Sequence, residues 1–266
     1  MAAAGSEHTS SPLPDLPRDL GSSVRAGRVG GRIETTFREL ALSRARSRRL
    51  DADMDVDQAD FVETRGRAVA IEAFRLAADH VVALTAAVPA DRWDAPALGS
   101  WTVRSLVGHT GRALSTVVEY LARPAVEHTV LSTADYYTRA AERVDAESIR
   151  LRGEQAGADL GERPAEAIRE LRDQAVRALA EAGDRIVPTA VGGILLSDYV
   201  PTRTFELAVH GLDIARAIGL PAVLPAEVLR AVLPVATELA VRRGHGEAVL
   251  LALTGRDGLP AGFGVL

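Results

Sequence analysis

The chain has 266 residues, of which 47% are hydrophobic and 25% charged, proportions that fit a globular protein and exclude a collagen-like or wholly disordered one. The net charge of −5 gives no reason to expect nucleic acid as a partner, and no apolar run reaches the ~20 residues of a membrane span. Cysteine is absent, which excludes disulfides, cysteine-ligated zinc and a protein thiol as nucleophile. A cysteine-free chain also fits a reducing compartment, and we predict a cytoplasmic protein.

The basic residues are of one kind. All 31 are arginine, and the chain contains neither lysine nor asparagine. This excludes a Schiff-base lysine and a phosphate-binding lysine of the Walker type. The bias toward residues with GC-rich codons also predicts a GC-rich source genome.

The N-terminal segment differs in composition from the rest of the chain. Residues 1–55 combine Pro12, Pro14 and Pro17 with glycine, serine and arginine, and they contain few apolar residues. Such a segment cannot bury enough apolar surface to offset the entropy lost on ordering. We therefore predict a disordered tail over residues 1–55, which a translation start at Met54 would remove from the native protein.

After residue 60 the apolar residues recur every three or four positions, as in amphipathic helices. Local signals mark several ends: Thr102 as an N-cap, Pro164 in a first turn, and Gly219 as a C-cap. The predicted helices span about 61–88, 102–121, 133–152, 164–183, 197–218 and 225–243.

The connections between these helices show no convincing alternating strands. We interpret Val187–Gly193 as a loop and Ala248–Thr254 as a short β-like apolar run, and we expect Gly153, Gly157 and Gly161 to loosen the chain. Four long helices with accessory segments predict an all-α antiparallel bundle, in which the long connection before residue 161 also permits a crossover.

Polar side chains recur on one face of the predicted helix 197–218: Tyr199, Arg203, Glu206, His210 and Asp213. Glu206 and His210 are one turn apart, so both can reach a single metal ion. His109 lies in the apolar stripe of its own helix. Together these three side chains predict a metal site with one coordination position open to water.

Structural explanations also fit these residues. A histidine in an apolar stripe is commonly a hydrogen-bonded core residue, Glu-x-x-x-His occurs in helices by chance, and Arg203 with Glu206 could form an i, i+3 ion pair. Spacing alone leaves both interpretations open. The remaining ordered-region histidines have no companion at ligand spacing, and both tryptophans are predicted to pack in the core or at its rim; these residues are His80, His128, His245, Trp93 and Trp101.

Two motifs carry a family resemblance. Residues 100–109, SWTVRSLVGH, and 204–213, TFELAVHGLD, resemble the second- and fourth-helix motifs of the mycothiol-dependent maleylpyruvate isomerase family, part of the DinB-like superfamily. Residues 251–266 resemble the C-terminal signature of many members. The resemblance spans roughly 60–266 and implies a DinB-like four-helix bundle with a metal site over 56–220, followed by a short extension over 221–266 with a helix and a β-like segment.

The resemblance also implies a chemistry. His109, Glu206 and His210 would be ligands of zinc or another divalent metal, and mycothiol would bring the thiol that this cysteine-free chain lacks. A mycothiol-making actinobacterium also agrees with the GC-rich composition. We therefore predict a zinc-dependent, mycothiol-using transferase or isomerase, in which Arg203 holds a carboxylate of thiol or substrate and Asp213 supports His210.

The chain departs from the isomerase itself in two respects, of which the first is that the long N-terminal tail is foreign to the family. The second is that only about 48 residues follow Ile218, too few for the larger C-terminal domain that helps the isomerase to bind substrate. The electrophile therefore stays open. The predicted partners are a small-molecule thiol and an electrophilic substrate, with a homodimer as the assembly to test and no nucleic acid or membrane. The alternatives are a metal-dependent hydrolase and a non-catalytic metal-binding protein.

Overall fold

A computed structural model describes residues 65–266, and the predicted tail over 1–55 lies outside the described residues. This part of the chain forms eight helices: α1 (65–86), α2 (Val103–Leu121), α3 (Thr133–Arg143), α4 (Ala146–Asp159), α5 (Pro164–Glu181), α6 (Leu196–Ile218), α7 (Ala226–Arg242) and α8 (Gly246–Leu253). Three short strands accompany them: β1 (His128–Val130), β2 (Ile186–Thr189) and β3 (Gly192–Leu195). The all-α fold class is confirmed. Between residues 65 and 266, no helix has the length and apolar character needed to cross a membrane.

The four long helices α1, α2, α5 and α6 share one hydrophobic core. Arg67 on α1 donates a hydrogen bond to the carbonyl of Leu179 on α5, at 3.3 Å. Gly211 on α6 lies against His80 of α1, while α2 packs against both α5 and α6. Helix α7 covers α6 and contributes to the same core, whose fully buried members include Phe74, Leu106, Leu114, Ile168, Leu207, Ile214 and Val228.

The predicted helix ends agree with the structure where a local signal marks them. The Thr102 side chain accepts a hydrogen bond from the Ser105 amide, at 3.2 Å, and so caps α2. Pro164 occupies the first turn of α5. Gly219 closes α6 with a φ of 75°, a conformation that favours glycine.

The prediction of one helix over 133–152 is wrong, because the segment contains two. Helix α3 ends at Arg143, and Asp145 then caps α4 by accepting a hydrogen bond from the Ser148 amide. The prediction that glycines loosen this region is also wrong for Gly153 and Gly157. Both lie buried inside α4, where the absence of a side chain lets that helix approach α2 closely.

The predicted loop Val187–Gly193 contains two strands. Strands β2 and β3 pair antiparallel across a tight turn, and β1 pairs parallel to β3, which gives the order β1-β3-β2. The predicted β-like run Ala248–Thr254 is instead helix α8. A short apolar run does not distinguish the two states, and its leucines and alanines favour helix in the absence of a partner strand.

Candidate metal centre

Three of the predicted site residues come together where α2 packs on α6. The side chains of His109, Glu206 and His210 each offer a ligand atom, and these atoms all lie within 4.8 Å of one another. Glu206 and His210 are adjacent on α6 because they are one helical turn apart. The ring of His109 approaches that of His210 edge-on from α2, with 5.0 Å between centroids. Two imidazoles and one carboxylate form a donor set typical of zinc.

The two ligand candidates on α6 are oriented by neighbouring side chains. His210 Nε2 lies 3.4 Å from Glu206 Oε2, while its Nδ1 lies 3.3 Å from Asp213 Oδ2. The Tyr137 hydroxyl on α3 lies 3.0 Å from both Glu206 Oε1 and the Thr202 carbonyl, and it donates to them. Each ligand candidate therefore has a second partner that fixes its orientation, as is usual around metal ions.

The environment of His109 is suited to a metal ligand. Its Nδ1 is buried and has no hydrogen-bond partner in the described part of the chain. Burial lowers the pKa of His109 to about 4, and the charge of His210 acts in the same direction. The imidazole is therefore neutral at pH 7 and has a lone pair for a metal ion. The Trp101 ring lies against it, with 4.5 Å between centroids, and shields it from solvent.

The three ligand candidates line a cavity of about 360 Å³, and Arg203 lines it too. This arginine is only 8% exposed, and its guanidinium lies between the rings of Tyr136 and Tyr199, at 5.2 and 5.0 Å from their centroids. Its Nε donates to the Thr202 hydroxyl at 2.9 Å. Arg203 is thus held rigidly beside the metal site, where its charge can act on a bound molecule.

The other three histidines between residues 65 and 266 lie elsewhere in the fold. His128 Nε2 is 3.0 Å from the Val130 carbonyl in β1, His245 packs on Phe263, and His80 faces α6 at Gly211. Trp93 packs against the core as predicted.

Sequence reasoning did not place Tyr137 or Arg112 in the cavity, and it gave Trp101 only a packing role. Arg112 follows His109 by three positions on α2, so helical spacing could have revealed it. Nothing in the sequence relates Tyr137 to Glu206, because α3 and α6 meet only in the folded protein.

Metal binding should release a proton near neutral pH. Burial alone would lower the pKa of His210, but hydrogen bonds to Asp213 and Glu206 outweigh it and raise this pKa to about 9. Burial likewise opposes ionisation of Glu206, but His210 and Arg203 bring its pKa down to about 2. The metal-free site at pH 7 therefore holds an imidazolium beside a carboxylate, and a metal ion must displace one proton from His210.

We expect about one proton released per zinc ion at pH 7, and an affinity that rises about tenfold per pH unit between pH 6 and 7.5. Calorimetric titrations in buffers of different ionisation enthalpy measure this release. His128→Ala, which alters a histidine away from the site, should release the same number. A release near zero would show that His210 is neutral without metal.

Comparisons with known proteins identify the family of the chain. No curated protein matches the chain. Among solved structures, the crystal structure of the mycothiol-dependent maleylpyruvate isomerase matches with a TM-score of 0.40 and 19% identity, over 64% of this chain and 68% of that chain. Residues 74–215, which include His109, Glu206 and His210, match the family described as the mycothiol maleylpyruvate isomerase N-terminal domain. Since this match covers more than half of the chain, the protein belongs to the mycothiol maleylpyruvate isomerase N-terminal domain family.

Proposed function

We propose that this protein is a zinc-dependent enzyme that uses mycothiol to transfer a thiol to, or to isomerise, a small electrophilic substrate. The observation that carries the proposal is the convergence of His109, Glu206 and His210 in one cavity beside a buried arginine. Family membership supports mycothiol as the thiol. The absence of cysteine agrees, because the chain has no reactive thiol of its own.

The chain's own residues prepare the site for this chemistry. His109 and His210 supply neutral nitrogen donors once His210 has lost its proton, and Glu206 supplies one negative charge. A zinc ion held by these groups favours the thiolate form of a bound thiol, which provides a nucleophile at neutral pH. Trp101 and Tyr137 enclose the donors and limit the access of water.

We assign to Arg203 the role of binding the substrate or the transition state. Its guanidinium is one turn from Glu206 and held by two tyrosine rings, so it can bind a carboxylate or a developing negative charge without rearranging. We infer that loss of Arg203 weakens turnover and leaves metal binding intact.

Two other functions use the same residues. A hydrolase would need zinc-bound hydroxide in place of the thiolate, and a purely structural site would need a fourth protein ligand. Asp213 and His128 are the nearest candidates for that ligand, but Asp213 faces Nδ1 of His210 and His128 bonds within β1. Among residues 65–266, the only group of three or more side chains placed to hold a metal ion is His109, Glu206 and His210, which supports a site with an open position.

The test combines zinc-loaded protein, mycothiol and 1-chloro-2,4-dinitrobenzene as a general electrophile, with the conjugate measured by absorbance. We expect a rate that requires both protein and thiol and falls at least 100-fold in His109→Ala. Arg169→Gln, which changes an exposed arginine on α5, should keep the wild-type rate. If the protein hydrolyses an ester when no thiol is present, the hydrolase is supported. If it binds zinc but catalyses neither the thiol reaction nor ester hydrolysis, the non-catalytic alternative is supported.

A further inference from the structure

The cavity has an unbalanced set of charges. Four arginines line it, against one carboxylate side chain, Glu206. That carboxylate is already engaged by His210 and by the Tyr137 hydroxyl. The four arginines are Arg112, Arg152, Arg203 and Arg243. A cavity with surplus guanidinium groups is suited to an anionic ligand.

Three of the four arginines have donors to spare, among them Arg203 and Arg112. The terminal nitrogens of Arg203 make no hydrogen bond with the described residues, although the side chain is 8% exposed. The side chain of Arg112, half-buried on α2, forms neither a hydrogen bond nor an ion pair with any residue from 65 to 266. Thr116, one turn after Arg112 on α2, accepts a hydrogen bond from the Tyr199 hydroxyl at 2.9 Å, and the Tyr199 ring lies 5.0 Å from the Arg203 guanidinium. Arg112 and Arg203 therefore line neighbouring parts of the same cavity.

The other two arginines are partly engaged by the backbone. Arg152 Nε donates to the Ser148 carbonyl at 3.1 Å, and Arg243 Nη1 donates to the Leu266 carbonyl at 3.3 Å. Arg243 is also exposed, so water screens its charge. Arg152 is half-buried on α4, and its terminal nitrogens make no hydrogen bond with the described residues. The sheltered positive charge of the cavity is thus that of Arg112, Arg203 and Arg152.

The rest of the lining is largely apolar and comes from different elements. Helices α3 and α4 and the link between them provide Ala140, Val144 and Ile149, and the β2–β3 turn provides Val191. These side chains offer no partner to a charged group, and burying one against them would be costly. The cavity therefore has one side with Arg112 and Arg203, from α2 and α6, and one mainly apolar side on which Arg152 of α4 also lies.

We propose that the electrophile is an amphipathic carboxylic acid, whose carboxylate binds Arg112 and Arg203 and whose aryl or alkyl body packs on the mainly apolar side. This inference rests on the proposed function, because it names the class of substrate for that reaction. It assigns Arg112 as a specificity-determining residue. A small dicarboxylate would lack the apolar body that the side chains of α3 and α4 contact.

The experiment measures binding of three probes to the full chain by calorimetry, without thiol. Cinnamate carries a carboxylate and an apolar body, cinnamyl alcohol lacks the charge, and maleate lacks the apolar body. We expect cinnamate to bind at least tenfold more tightly than either of the others. Each titration is repeated with zinc-loaded and zinc-free protein, because a carboxylate can also bind a metal directly.

The variants separate the two sides of the cavity. Arg112→Gln and Arg203→Gln should each weaken cinnamate binding about tenfold. Arg112→Gln should destabilise the fold less than Arg203→Gln, because the Arg112 side chain is only half-buried. Ile149→Ser should weaken cinnamate and leave maleate unchanged. Arg169→Gln, an exposed arginine on α5, is the matched control and should bind as wild type.

Several outcomes would overturn the inference. If cinnamyl alcohol binds as tightly as cinnamate, the cavity has no anion-binding site. If maleate binds more tightly than cinnamate, the substrate is a dicarboxylate. Binding that needs zinc and ignores both arginines would assign the carboxylate to the metal. Because no thiol is present, these binding results do not depend on turnover. If the probes bind as expected but the protein catalyses no thiol reaction, only the proposed function is disproved. If the protein catalyses the thiol reaction but the probes do not bind as expected, only this inference is disproved.

Discussion

Replacing His210 by alanine should give a folded protein that binds almost no zinc. The variant loses one of three ligand candidates, and Glu206 keeps a buried carboxylate without its hydrogen-bonded partner. An unpaired buried charge is costly, so the pKa of Glu206 should rise and its affinity for a cation should fall. The bundle should survive, because its core consists of apolar side chains away from the site.

The measurement is zinc per chain after equilibrium dialysis, with helicity followed by circular dichroism. We expect about one zinc per chain in wild type and in Arg203→Ala, and near zero in His210→Ala. His128→Ala is the matched control, since it removes a histidine that bonds within β1. If His210→Ala binds zinc as well as wild type, the polar face of α6 is only a hydrogen-bonded network in the core.

Replacing Gly108 by alanine should destabilise the fold strongly. A methyl group at Gly108 would lie 2.1 Å from the backbone nitrogen of Gly157, where α2 crosses α4. Backbone atoms inside a helix cannot move aside as a side chain can, so the two helices would have to separate. We expect a loss of about 3 kcal/mol in the free energy of unfolding, at the upper end of the usual cost of overpacking. Urea denaturation measures this loss.

Gly66→Ala provides the control for the Gly108 variant. Gly66 also lies in a helix, but a methyl group there meets no atom of the described residues within 4 Å. Alanine in an exposed helical position should raise stability by about 0.5–1 kcal/mol. Equal effects at both positions would mean that the α2–α4 contact is looser than the structure shows. Since His109 follows Gly108 directly, the Gly108 variant should also lose affinity for zinc.

The sequence predicted those parts of the protein that depend on local spacing. Helical periodicity located the long helices, Thr102 and Gly219 marked two of their ends, and the Glu206–His210 spacing placed both side chains on one face of α6. His109 was expected beside them because its own apolar stripe had to face the core.

The remaining features depend on contacts between distant segments. The close approach of Gly108 to Gly157 makes Gly157, which was predicted to loosen the chain, a packing residue, and no local pattern reveals it. Tyr137 reaches Glu206 from 69 positions away in the chain. Helix α8 has no buried residue, so its apolar run carried no core-facing periodicity and was assigned to the wrong state.

Helix α6 bears Arg203, Glu206 and His210 together, so the distance from the proposed anion-binding group to the candidate ligand atoms is set by the helical rise of about 1.5 Å per residue. No hinge separates them, and domain motion cannot change their relative positions. Helices α3 and α4 form the other side of the cavity through ordinary apolar contacts. Substitutions there can therefore change which molecule is accepted and leave the reaction geometry intact, which allows one scaffold to serve many substrates.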